Sequence, residues 1–322
     1  MRTKNELYKE AFRQIASRRQ RAVTLAQQRQ EQAQQAIPAL VQQQDAIRQL
    51  GLQTMVLAAQ GASEAQRQQL QQQRQQAQQE LEQLLRSNGW TPQDLEPQFT
   101  CPLCKDSGMV DGHVCQCVGK LARQLRFEEI CEESPLSLCS FDSMDLRYYP
   151  VDRDPATGES IRILMAETLD FLRQYAEHFD LKSANLLLCG NAGLGKTHAA
   201  LSIAQRVLEK GFNVVYIGAQ SLFSQLERER FVQSPLQEAV LEADLLILDD
   251  LGTEYVNPYM LSCFYNLLNT RLLEKRPTIY TTNIVDGKAF EARYTEKIAS
   301  RLGGNCEPVF FLGQDIRKLK NM

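Results

Sequence analysis

Residues 185–197 read Asn185-Leu186-Leu187-Leu188-Cys189-Gly190-Asn191-Ala192-Gly193-Leu194-Gly195-Lys196-Thr197. The first five make a short apolar run of the kind that forms a buried strand. Residues 198–210, which follow, repeat apolar side chains at helical spacing. Between strand and helix lies a full G-x-x-x-x-G-K-T loop, comprising Gly190, Asn191, Ala192, Gly193, Leu194, Gly195, Lys196 and Thr197. Its glycines let the backbone curl so that successive N–H groups point at a β-phosphate, helped by the helix N-terminus. Lys196 is expected to reach the β- and γ-phosphates, and the Thr197 hydroxyl to ligate Mg²⁺.

Outward from this loop the alternation continues. Apolar runs at 185–189, 213–217, 244–248, 278–282 and 308–312 are separated by helical stretches such as 198–210 and 258–274. Strands alternating with helices predict a parallel α/β sheet with helices on both faces. The run Leu245-Leu246-Ile247-Leu248 delivers Asp249 and Asp250 at its C-terminal end, where such sheets place ligands. Asp249 is the expected magnesium-holding carboxylate, acting through the ion's water shell, and Asp250 is placed to polarise an attacking water. Thr278-Ile279-Tyr280-Thr281-Thr282 ends in Asn283, which is suited to hydrogen-bond a γ-phosphate and that water.

The first ninety residues are of another kind, rich in Gln, Ala, Leu and Arg. That composition favours helix. Leu70, Ala77 and Leu84 recur at sevens with Leu81 between, and Ile15, Ala22, Ala26 and Ala33 form a weaker seam. With Pro38, Gly51 and Gly61 as interruptions, two or three helices folding back as an antiparallel coiled coil are expected. A compact cluster follows: Cys101, Cys104, Cys115 and Cys117 in a C-x₂-C-x₁₀-C-x-C pattern. Four thiolates at this spacing suit a closed, structural Zn²⁺ site, with His113 an alternative to Cys115 or Cys117. So small a segment cannot build an adequate apolar core, and metal would supply its folding energy. The expected domains are a Gln-rich helical segment at 1–97, a zinc module at 98–130 and a nucleotide-binding domain at 131–322.

A net charge of −3 gives no global pull toward nucleic acid or anionic membrane, so any DNA contact must be local. Arg228, Arg230, Lys275, Arg276, Lys318 and Lys320 are candidates. The N-terminus lacks a secretory apolar core and no run is long enough to span a membrane, which predicts a cytoplasmic chain with its nine cysteines reduced.

The order of glycine-rich loop, Asp-Asp strand and Thr-Thr-Asn strand resembles AAA+ ATPases, and among them the DnaC/DnaI helicase-loader and IstB branch. Gly190–Thr197, LLILDDLGTE at 245–254, KRPTIYTTN at 275–283 and KIASRL at 297–302 carry the likeness, with FDSMDLRYY at 141–149 resembling the segment that opens the ATPase domain. The resemblance implies ATP and Mg²⁺ as ligands, Asn283 as first sensor, and Arg301 as an arginine finger acting on a neighbouring subunit, with Arg293 next in line. It implies self-association into an ATP-dependent oligomer, single-stranded DNA as a ligand and a replicative DNA helicase as partner. The alternative is an IstB-like transposase accessory that remodels DNA, and a third reading is an adaptor that binds ATP but scarcely hydrolyses it. Asp250 stands where most of these proteins have Glu, so slow, switch-like hydrolysis is expected, with Glu254 as a possible substitute. So few residues follow the last strand that no lid carrying a second sensor arginine is expected.

Overall fold

The computed structural model describes residues 1–59, 64–134, 139–231 and 234–320. They fall into two compact units, Phe12–Cys117 on the one hand and Met1–Ala11 with Val118–Met322 on the other. No helix among the described residues is long and apolar enough to cross a membrane.

The Gln-rich region is helical: α1 (Lys4–Ala36), α2 (Ala39–Ala59) and α3 (Glu64–Ser87). Pro38 breaks the chain between α1 and α2, as a missing N–H and a fixed φ require. Gly51, expected to interrupt, lies inside α2 instead. Its cost of ~1 kcal/mol against Ala is one that a helix of 21 residues carries. Gly61 lies outside the described residues. Helices α2 and α3 pair antiparallel, with the Gln43 amide donating to Glu80 Oε2 (2.9 Å). Their tightest packing is a small cluster of Ala33, Ile37, Leu40 and Leu85, against which Leu81, Leu84 and Trp90 lean. On α3 Ala77 is buried as the heptad reading has it, while the next buried position is Leu85, one residue past Leu84. In the cysteine segment β1 (Met109–Val110) and β2 (His113–Val114) pair antiparallel across Asp111 and Gly112, both at positive φ (48° and 78°). Two central residues of that kind make the tight turn that suits a hairpin's twist.

The second unit begins its long-range structure with α4 (Gln116–Glu133) and α5 (Ile161–His178). After them come β3 (Asn185–Cys189), α6 (Lys196–Glu209), β4 (Val214–Gly218), α7 (Ala219–Arg228), α8 (Pro235–Glu242) and β5 (Leu245–Leu251). The chain continues through α9 (Pro258–Leu273), β6 (Thr278–Thr282), α10 (Gly287–Tyr294), α11 (Glu296–Asn305), β7 (Cys306–Phe310) and α12 (Ile316–Lys320). Strands β3 to β7 form one sheet in the order β4-β5-β6-β3-β7, every pair parallel.

The strands are apolar throughout because both faces are covered. Leu186, Leu188, Val214, Tyr216, Leu245, Ile247 and Ile279 face a core shared with α5 and α6. The alternate residues Val215, Ile217, Leu246, Leu248 and Tyr280 face a second core, filled from α7, α8, α9 and α11. This period of two is the pleat's own. The outer strand β7 starts two residues before the apolar run at 308–312. Pairing with β3 begins at Cys306, and an edge strand tolerates the polar Glu307 that hid its start as well as Pro308.

Arg271 locks the second face. Only 1% exposed, it donates to the carbonyls of Val240 (2.8 Å), Leu241 (3.1 Å), Ala243 (3.0 Å) and Pro277 (2.6 Å), and to Thr278 Oγ1 (2.8 Å). Burial brings its pKa down to about 10, so it remains a cation. It ties the end of α8 to the start of β6.

Candidate nucleotide site and cysteine cluster

The glycine-rich loop turns between β3 and α6, beside the strand ends that carry Asp249 and Thr281. Asp249 is 5% exposed and its carboxylate collects three hydroxyls. Thr197 Oγ1 lies 3.1 and 3.0 Å from its two oxygens, Tyr216 donates to Oδ2 (2.7 Å) and Thr281 to Oδ1 (2.7 Å). Burial first, then the charge of Asp249, pushes the Tyr216 phenol up, so it stays a donor. Lys196 Nζ donates to the carbonyls of Gly190 (2.6 Å) and Asn191 (2.8 Å). Burial pulls its pKa down, against the opposing charges of Asp250 and Asp249.

Between Leu248 and Leu251 the β5–β6 register shifts, and Asp250 sits at φ 60°. A bulge of this kind re-aims a side chain. Here it leaves Asp249 buried against Thr197 while the Asp250 carboxylate is exposed, its N–H given to Thr281 Oγ1 (2.8 Å). Partial burial and then the neighbouring Asp249 push the Asp250 pKa up. Asn283 is exposed just past β6 and lies against the turn after β5: a Cβ on Gly252 would stand 2.9 Å from Asn283 Oδ1.

Glu254 is not free to act on water. It is 3% exposed and accepts from Gly252 N (3.0 Å) and from the Tyr294 hydroxyl, with Arg293 alongside (Nε to Oε1, 3.6 Å). The same contacts hold Arg293 inside its own chain. Arg301 lies on α11, its guanidinium 4.6 Å over the Tyr265 ring and its Nε 3.4 Å from Asn269 Oδ1.

The segment after β7 supplies residues the sequence reading missed. Ile316 N donates to Gly193 O (2.9 Å), and a Cβ on Gly193 would fall 1.7 Å from Asp315 Oδ1. Only glycine fits there, at φ 78°. Arg317, on the short α12, bonds Asp315 Oδ1 (3.3 Å), and its charge is felt at both Lys196 and Asp250. Arg317 thus adds a cation of the same chain to the field at the site, on the segment where no lid carrying a second sensor arginine was expected. Apart from the alternation that puts Tyr216 and Thr281 near strand ends, no local signal marked these residues.

Among the described residues the four cysteine thiols gather within 4.8 Å of one another, with Sγ–Sγ distances of 3.8 Å (Cys101–Cys115) and 3.5 Å (Cys104–Cys117). A tetrahedron of thiolates around zinc, with bonds of ~2.3 Å, has edges of about 3.8 Å. The donor set and spacing therefore fit that ion, while His113 sits exposed on β2 and outside the group. Buried Asp106 holds the knuckle, accepting from Thr100 N (2.7 Å) and Cys101 N (3.0 Å). Burial works to keep Cys104 protonated. Hydrogen bonds from the Gly108 backbone and the neighbouring thiols outweigh it, bringing the pKa down to about 7.

Residues 166–320 match the family model described as IstB-like ATP binding protein. These residues are an IstB-like ATP-binding domain. With the glycine-rich loop and the parallel sheet above, they form a P-loop ATP-binding domain preceded by a helical region. The replicative helicase loader DnaC of Escherichia coli (strain K12) is 31% identical over 116 residues, covering 34% of this chain and 47% of that protein. The ATP-binding protein of insertion sequence IS232 from Bacillus thuringiensis subsp. berliner is 33% identical over 121 residues, covering 37% and 46%. The chain thus spans about half the length of the curated relatives it matches. Against the crystal structure of the DnaC helicase loader the TM-score is 0.46 at 20% identity, covering 54% of this chain and 97% of that one.

Proposed function

We propose that the protein is an ATP-dependent loader of a replicative DNA helicase, with ATP binding and hydrolysis as its switch. The observation that carries the nucleotide chemistry is the meeting of Thr197, Asp249 and Thr281 beside the glycine-rich loop. In this reading Thr197 and Asp249 would hold Mg²⁺, Asp249 through the ion's water shell. Lys196 leaves the loop carbonyls for the β- and γ-phosphates. Asp250 polarises the attacking water while Asn283 senses the γ-phosphate, and Arg301 completes a neighbour's site. The ion's part is to offset phosphate charge. Zn²⁺, held by Cys101, Cys104, Cys115 and Cys117, would stiffen the N-terminal module (residues 1–130), which docks on the helicase.

Similarity to DnaC supports the helicase as partner. For single-stranded DNA the support is an aromatic and basic surface. Phe231 is 91% exposed and Tyr255 79%, and Arg230 lies over the rings of Phe231 (5.5 Å) and Tyr259 (4.8 Å). Exposed rings with a stacked guanidinium suit unpaired bases and a phosphate backbone. Of the other basic candidates, Arg276 is spent on Glu274 (2.7 Å), and the Lys320 side chain lies outside the described residues.

The test has two arms. The full chain should co-purify with the host's replicative helicase and bind single-stranded DNA better with ATP than with ADP, and Lys196→Ala should abolish binding of a fluorescent ATP analogue with circular dichroism unchanged. A preference for duplex DNA and a transposase would move the assignment to the transposition accessory, which the likeness to the IS232 protein also supports.

A further inference from the structure

The glycine-rich loop follows the C-terminal end of β3. A second cavity lies at the other end of the sheet, where Asn213 precedes β4. It measures about 30 Å³ and opens between the first turns of α1, the body of α4 and the turn from α6 to β4. Lys4, Tyr8, Arg123, Arg126 and Asn213 are among its walls.

The polar groups here are unbalanced in one direction. Arg126 is 1% exposed, bonding Glu129 Oε2 (2.6 Å), Arg2 O (2.6 Å) and Asn213 Oδ1 (3.1 Å). Among the described residues, two buried atoms on the cavity's walls have no partner: Arg126 Nε and Asn213 Nδ2. Both are donors. Neither the Lys4 nor the Arg123 side chain makes an ion pair or hydrogen bond among the described residues. The Arg123 Nη1 atom stands 3.6 Å from where a Gly119 Cβ would be and 3.7 Å from that of Gly211, so two residues without side chains leave it room.

Charge tells the same story. Glu129 is shared between Arg2 and Arg126, each at 2.6 Å, and the Glu6 carboxylate is taken up by Thr3 N (2.7 Å) and Oγ1 (3.1 Å). Four cations (Arg2, Lys4, Arg123 and Arg126) therefore face three carboxylates, Glu129, Glu6 and Asp244, the last taken up by Asn213 N (2.7 Å). An orphaned buried N–H costs ~1–3 kcal/mol. A water would satisfy a donor or two but neutralise nothing. The volume accommodates roughly two oxygen-sized atoms, with the rest of a ligand in the mouth.

We infer that this cavity is a binding site for a phosphate-type oxyanion, held by Arg126 and Asn213 from within and by Lys4 and Arg123 at the mouth. Bound there, the anion fastens residues Met1–Ala11 to α4 and to the start of β4. The group arrives either free or on a nucleic-acid backbone; the chemistry that recognises it is the same.

The experiment titrates inorganic phosphate into the full chain at constant ionic strength. Mg²⁺ and a non-hydrolysable ATP analogue saturate the other site. Calorimetry should give a saturable 1:1 isotherm, with a matching rise in unfolding temperature. The double variant Lys4→Gln/Arg123→Gln should lose about tenfold or more in phosphate affinity, while binding the ATP analogue as before. Arg123→Lys, which keeps the charge, should recover part of it. A single-stranded oligonucleotide that competes with phosphate, and loses affinity in the same variant, would identify a backbone phosphate as the source; no competition would identify the free ion. An isotherm unchanged by the double variant would overturn the proposal. So would a non-saturating thermal rise that other excluded salts reproduce, the mark of general salting rather than a site.

Discussion

The Thr281 hydroxyl sits between two consecutive acids, donating to Asp249 Oδ1 at 2.7 Å and accepting the Asp250 N–H at 2.8 Å. One side chain from β6 thereby holds the buried carboxylate in place and fixes the bulge that turns the next one outward. Thr281→Val should leave both groups short of a partner, at ~1–3 kcal/mol apiece. The expected outcome is a raised half-saturating Mg²⁺ concentration and at least a tenfold loss of ATP turnover, with Thr281→Ser close to the parent. An unaltered Mg²⁺ dependence in the Val variant would remove Thr281 from the site.

In the proposed reading Asp250 polarises water as the ion, and partial burial, then the charge of Asp249, raises its pKa above the ordinary carboxylate value. Turnover should therefore fall as pH drops through that raised value, earlier than for a solvated aspartate. Asp250→Asn should bind ATP and fail to hydrolyse it. An identical acid limb in the variant's residual activity would assign the titration to another group.

Arg301 is predicted to act in trans. Mixing Arg301→Ala subunits, whose own loop is intact, with Lys196→Ala subunits should restore part of the lost hydrolysis. Turnover in the parent should rise faster than linearly with protein concentration. No recovery together with linear dependence would mean a site complete in one chain, and Arg317, already near Lys196, would be the cation to examine.

About one zinc per chain should survive purification without added metal, and Cys101→Ser with Cys104→Ser should remove it. Elemental analysis decides this. Zinc retained by the double variant would place the ligands elsewhere.

Arg271→Met keeps the length of the side chain and strands four carbonyls and a threonine hydroxyl. A loss of roughly 3–5 kcal/mol is expected, the scale for a broken buried charge network. Urea unfolding measures it. A change under 1 kcal/mol would show that water replaces the guanidinium.

Much of this was legible beforehand. The strands at 185–189 and 278–282 fall where their apolar runs place them, because a strand buried on both faces is written as a continuous apolar word. The Gly190–Thr197 loop and Asp249 were equally plain, since their chemistry demands fixed residues at fixed spacing. Contacts across long sequence separations were not. Tyr216 meets Asp249 only because β4 and β5 are neighbours, and Asp315 meets Gly193 only because the chain returns past β7. Nothing in the sequence singled out Arg271; its burial follows from where α8 ends. Glu254 looked available until Tyr294 and Gly252 claimed it.

The outer strand β7 has a consequence for how the protein behaves in a crowded solution. Phe311 turns its N–H toward β3, bonding Cys189 O at 2.7 Å, so alternate residues such as Pro308 face the open side. Proline has no N–H to offer there, and Glu307 next to it adds an exposed charge. A strand from a second molecule would find a gap in the ladder where it tried to dock. That flank of the sheet is therefore a poor seed for fibrillar aggregation, and the chain can be kept concentrated without extending its own sheet from that side.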